Sequence, residues 1–62
     1  MIWETATYHK STNYQICDTS IGRYVVKKVY GGFSVRLNGV QVDNARTMEE
    51  GKNKAAMDLE GR

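Results

Sequence analysis

The sequence predicts an α+β domain: an antiparallel meander of three to four strands with one C-terminal helix packed on one face. Three observations predict it. Apolar and polar residues alternate over 24–42 at the period of a strand. Two dipeptides, Gly31-Gly32 and Asn38-Gly39, interrupt that alternation at hairpin spacing. Thr47 and Glu50 then open a segment whose apolar and small residues recur at the period of a helix.

The elements follow in chain order. Residues 2–8, "IWETATY", alternate and are rich in β-branched and aromatic side chains, which predicts a strand. Residues 9–13, "HKSTN", are polar and read as a loop. Residues 14–17, "YQIC", fit a short strand, and 18–22, "DTSIG", form a turn cluster with Gly22 at positive φ. Strands are predicted over 24–30, 33–37 and 40–43, joined by Gly31-Gly32 and by a type I′ turn at Asn38-Gly39. In this register Tyr30 faces Phe33, Lys28 faces Val35, and Val35 faces Val42. The helix starts at the Thr47 cap, with Glu50 closing a capping box, and runs to about residue 60, with Gly61 at the C′ position. Met48, Gly51 or Lys52, Ala55 and Leu59 share one helical face, and the small Gly51 and Ala55 predict a close approach to the sheet.

Strand parity sorts the side chains. Tyr24, Val26, Tyr30, Phe33, Val35, Leu37, Val40 and Val42 are expected on the core face under the helix. Lys28 is the misfit there and is expected to snorkel outward. Val25, Lys27, Val29, Ser34, Arg36, Asn38, Gln41 and Asp43 are expected on the opposite face. Lys27, Arg36 and Gln41 form an expected cross-strand row with Arg23 at its edge, and no acidic residue lies between 23 and 36. Arg23, Lys27, Arg36 and Gln41 are therefore the candidate binding residues. Val25 and Val29 beside the row suggest a contact surface, unless the N-terminal strand with Trp3 covers them.

Composition narrows the function. Sixty-two residues make one small domain, 1–62, with a core worth only about 3–5 kcal/mol of net stability. So little interior leaves scant room for a deep catalytic pocket, and no nucleophile–base constellation is present, so no enzyme activity and no cofactor are expected. His9 has no partner in its polar loop. The lone Cys17 excludes an intramolecular disulfide and reads as a small packing residue in a cytoplasmic protein. One Cys and one His do not make the usual zinc site. No apolar run reaches membrane-spanning length, and the start lacks the pattern of a secretory signal. A formal charge of +2 is too weak to imply nucleic acid by itself.

Over 22–55 the chain resembles short phage and prophage proteins in which a G-[RK]-Y strand, a G-[FYW] strand and an NG turn precede T-[LM]-E-E-[AG]-K. The matching residues are Gly22, Tyr24, Gly32, Phe33, Asn38, Gly39, Thr47, Met48, Glu49, Glu50 and Lys52. Gly51 stands where many of those proteins have alanine. The sheet-plus-helix plan is also similar to the arm-site DNA-binding domain of tyrosine integrases. The proteins of the first resemblance are uncharacterised; some anti-defence phage proteins, including anti-CRISPRs, are also this small and occlude a protein surface, so a small inhibitor of a bacterial protein or nucleoprotein complex is the expectation. The second implies duplex DNA read by the sheet. A homodimer is a third partner class consistent with the chain, and no membrane partner is expected.

Overall fold

Every strand pairs with its neighbours in sequence. The computed structural model describes residues 1–5 and 13–62. Its five strands are β1 (Glu4–Thr5), β2 (Tyr14–Thr19), β3 (Gly22–Val29), β4 (Gly32–Leu37) and β5 (Val40–Ala45), followed by helix α1 (Met48–Glu60). They form one antiparallel sheet in the order β1-β2-β3-β4-β5. The α+β plan holds, with five strands instead of three to four. The extra strand is β1, which pairs with the outer edge of β2 through Glu4 and Thr5. Of the strand expected over 2–8, Ile2 and Trp3 lie before β1 in no regular element, and 6–8, with His9 and its loop up to 12, fall outside the described residues.

Polar residues in 18–22 disguise the length of β2. Asp18 and Thr19 are strand residues, opposite Arg23 and Gly22, and only Ser20 and Ile21 make the turn. The Thr19 hydroxyl closes it by donating to the Gly22 carbonyl at 2.7 Å.

The two later hairpins differ in how well local chemistry specifies them. At Asn38-Gly39 both residues take positive φ, 51° and 83°, as a type I′ turn requires. The Asn38 side chain also stitches this turn to the β2–β3 turn at Ser20-Ile21. Its Oδ1 accepts from the Arg23 N–H (3.0 Å) and its Nδ2 donates to the Ile21 carbonyl (3.3 Å). The other hairpin turns at Tyr30-Gly31, not at Gly31-Gly32, so Val29 faces Gly32, Lys28 faces Phe33 and Val26 faces Val35. Gly32 is a strand residue for a packing reason: a Cβ there would lie 2.6 Å from the Ala45 carbonyl oxygen. Tyr30 consequently leaves the predicted core face and projects from the turn, fully exposed.

A bulge corrects β5. Gln41 pairs with Arg36 but Asp43 pairs with Val35, so Val42 is an additional residue and the expected Val35–Val42 pairing does not form. Asp43 thereby moves to the helix side, where it meets Lys54 at 3.6 Å, and Ala45 enters the core opposite Phe33. The strand extends two residues past the predicted end. Val40, expected in the core, lies directly after the turn, at the closed end of the hairpin, and is 66% exposed.

The core comprises Cys17, Tyr24, Val26, Phe33, Val35, Leu37, Ala45 and Ala55, with Trp3, Val42, Met48 and Leu59 packed against it. Cys17 is buried and free. Trp3 belongs to this helix side of the sheet, and Lys52 Nζ stands 5.8 Å from its ring centroid. It therefore does not cover Val25 and Val29. Lys28 snorkels as its position requires: it is exposed, with Nζ 5.2 Å from the Phe33 ring centroid.

Two features seat the helix. The Thr47 hydroxyl accepts from the Glu50 N–H at 3.1 Å. The Glu50 carboxylate turns to Lys54 one helical turn on (3.4 Å), so only the threonine half of the capping box forms. At the other end the Tyr24 hydroxyl, on the sheet, donates to Asp58 at 2.5 Å. Arg62 pairs with the same carboxylate at 2.8 Å. Gly61 ends the helix in the right-handed region, with φ −77°, so no left-handed cap is used.

Candidate binding face

With the helix on one side, the other side of the sheet carries no element among the described residues. Cross-strand pairing arranges it in ladders. One runs Glu4, Ile16, Val25, Arg36, Gln41, and the next runs Tyr14, Lys27, Ser34, Asn44. Asp18 and Arg23 begin a third. All four predicted binding residues lie on this side of the sheet. The expected row of Lys27, Arg36 and Gln41 is not one row, however. Arg36 faces Gln41 directly, whereas Lys27 faces Ser34 in the adjoining ladder. The two cations are diagonal neighbours.

Electrostatics separates the candidates. Arg23 is bound to Asp18, Nε to Oδ1 at 2.7 Å and Nη2 to Oδ2 at 3.2 Å. Hydrogen bonding from Arg23 holds the Asp18 carboxyl below its ordinary pKa. The absence of acids between 23 and 36 thus misleads for Arg23, because its partner lies five residues upstream. Among the described residues, the ion pairs are Arg23–Asp18, Lys54 with Asp43 and Glu50, and Arg62–Asp58. Lys27 and Arg36 take part in none. Arg36 donates from Nη1 to the Gly39 carbonyl at 3.1 Å.

The face is chemically graded. Half-buried Ile16 and Val25 form its apolar centre. Toward β1 lies an acidic corner, where Ile2, Glu4, Ile16 and Asp18 line a hollow of about 190 Å³. At the β5 edge a larger groove of about 660 Å³ wraps from this face to the helix side, lined by Tyr30, Ser34, Gln41, Asn44 and Arg46 and also by Glu50 and Lys54 of the helix. No cluster of three or more metal-ligating side chains exists among the described residues, and no helix is long and apolar enough to cross a membrane.

Tyr14, Ile16 and Asn44 extend the face beyond the residues foreseen. The first two follow from continuing strand alternation through β2. Asn44 reaches this side only through the bulge, for which the sequence carries no local signal. Comparison with protein-family models, with characterised proteins and with solved structures finds no match to this chain.

Proposed function

We propose that the chain is a non-enzymatic binding module that docks through its open sheet face onto a protein. In this reading its task is to inhibit a bacterial protein complex, such as a CRISPR effector, by covering a working surface, as some phage anti-defence proteins of similar size do. The observation that carries this reading is the grading of the face: an acid at Glu4 and a neutralised Asp18–Arg23 pair at one end, an apolar centre at Ile16 and Val25, and unneutralised cations at Lys27 and Arg36. Protein surfaces present such mixtures. A phosphate backbone presents negative charge throughout and would meet the Glu4 carboxylate, unpaired among the described residues, at one end of this face. Exposed Tyr30 at the rim adds the kind of aromatic anchor on which protein interfaces rely.

Duplex DNA is the second reading, favoured by the same two cations. Lys27→Glu with Arg36→Glu tests both. The reversal should leave the protein folded, at a cost of roughly 1–2 kcal/mol, because neither residue is in an ion pair and the bond lost is that of Arg36 to the Gly39 carbonyl. The tagged parent should retain a nuclease-resistant bacterial partner that the reversed variant loses. It should show no duplex binding at physiological salt. A log–log salt slope of roughly −2 to −4 on duplex DNA would favour the second reading instead. Equal retention of the partner by parent and reversed variant would remove the face from consideration.

A further inference from the structure

Ser34 lies on the open face yet is only 2% exposed, and its hydroxyl has no hydrogen-bond partner. Two residues along the same strand, on the same side, Nε of Arg36 is also buried without a partner. Among the described residues these are the two buried side-chain polar atoms left unpaired. Buried polar atoms are normally satisfied. Gln15, buried on the helix side, is bonded to the Thr5 hydroxyl at 2.8 Å. Two unpaired atoms side by side, on the face that carries two unneutralised cations, are unlike scattered packing defects.

The groups around them are mostly donors. Lys27 faces Ser34 from β3 and Asn44 faces it from β5. Ser34 itself can donate, and the residue is one of those around the groove toward β5, with its hydroxyl covered in the free protein. Such a set calls for an anionic acceptor. The guanidinium narrows the choice. Its Nη1 is held by the Gly39 carbonyl, so the edge carrying Nε is the one left for a ligand. A planar carboxylate matches a guanidinium edge with two parallel hydrogen bonds. Ile16 and Val25, in the ladder of Arg36, offer apolar contact beside that point, and Glu4 at the end of the ladder disfavours further negative charge.

We infer that the open face binds an acidic polypeptide segment, with an aspartate or glutamate carboxylate seated among Lys27, Ser34 and Arg36 and an apolar side chain over Ile16 and Val25. This rests on the reading of that face as the docking surface and adds the chemistry of its occupant. Both unpaired atoms are covered in the free protein, so the long side chains of the face rearrange on binding, as interface rotamers commonly do.

The test uses the ¹⁵N-labelled full chain and a short blocked peptide alternating glutamate and leucine. Its controls are the same peptide with glutamine for glutamate, and duplex DNA. The glutamate peptide should shift the Ser34 amide and the Arg36 Nε–H resonances, and the glutamine peptide should not. Ser34→Ala should fold as well as the parent, since it removes an unpaired hydroxyl, and should bind the peptide about two- to tenfold more weakly. Arg36→Lys keeps the charge but loses the planar edge, and should weaken binding about tenfold or more. Equal binding of the two peptides, a stationary Arg36 Nε–H signal, or full affinity in Arg36→Lys would overturn the carboxylate seat. So would duplex DNA moving these signals when the glutamate peptide does not. If the peptide fails while the double charge reversal still abolishes partner retention, the docking face stands and only its proposed occupant falls.

Discussion

Replacing Gly51 with alanine sets two well-measured effects against each other. Alanine is favoured over glycine inside a helix by about 1 kcal/mol, so an unobstructed Gly51→Ala would stabilise the protein by that amount. Gly51 is not unobstructed. A Cβ there would lie 2.5 Å from Cγ1 of Val26 and 3.6 Å from its Cβ and Cγ2. Val26 is fully buried in the centre of the sheet, and a β-branched side chain has few alternative rotamers. Overpacking of this kind costs about 1–3 kcal/mol. The clash therefore cancels or exceeds the propensity gain, and the net effect should lie between zero and about 2 kcal/mol of destabilisation. In a domain of this size 1 kcal/mol moves the melting temperature by about 4–8 °C. Urea and thermal unfolding of parent, Gly51→Ala, Val26→Ala and the double variant would measure it. The double variant should be more stable than the sum of the single changes by about 1 kcal/mol, because the new methyl then occupies space vacated by valine. A Gly51→Ala protein more stable than the parent by the full 1 kcal/mol, with additive behaviour in the cycle, would refute the close helix–sheet contact.

Other perturbations separate effects that the fold combines. Asn38→Gly preserves the positive-φ turn but removes the side-chain stitch to Ile21 and Arg23. It should cost about 1 kcal/mol in chemical denaturation, with Asn38→Ala costing more because it also strains the turn. Thr47→Ala should cost about 0.5–2 kcal/mol, and Glu50→Gln much less, since the Glu50 carboxylate pairs with Lys54 and does not close the cap. Asp58 predicts the acid limb of the stability curve. Bonding from Arg62, then from Tyr24, holds its carboxyl below the ordinary value of 3.8, so the ionised form stabilises the fold above that value. That contribution should fade as pH drops through the depressed folded value, and Asp58→Asn should flatten the decline. Burial, reinforced by Asp58, raises the Tyr24 phenol above its ordinary 10.0, so stability should also fall as pH rises beyond about 10, and Tyr24→Phe should remove that fall.

The faces of the strands were legible in the sequence to a greater degree than their partners. Reading the hairpin at Gly31-Gly32 instead of Tyr30-Gly31 shifts the pairing of β3 with β4 by two residues, and a shift of two preserves side-chain parity. Val26, Val35 and Lys27 therefore landed on the correct sides although each had the wrong partner. Tyr30 did not, because it left the strand altogether. Two adjacent glycines concealed the distinction: Gly31 serves the turn, with φ 83°, while Gly32 serves the close approach of β5. Asn38-Gly39 had no such ambiguity, since a type I′ turn asks for those two residues in that order. The bulge at Val42 was invisible because its cause is tertiary. It sets Asp43 beside Lys54 and Ala45 in the core, contacts made with the helix side that no local pattern announces. The same limit applied to Arg23, whose neutralising partner is set by the β2–β3 register and not by nearby sequence.

Lys54 has a consequence for how copies of this protein meet. Its ammonium reaches from the helix to the free edge of the sheet and donates to the Asn44 carbonyl at 2.8 Å, beside the bulge. The outer edge of β5 is where a second chain would otherwise extend the sheet, the shortest route from a small β-rich domain to fibres. With one edge carbonyl occupied and the strand kinked, that route offers no continuous run of free donors and acceptors. Self-association is steered away from the edge, which leaves the face available in concentrated solution.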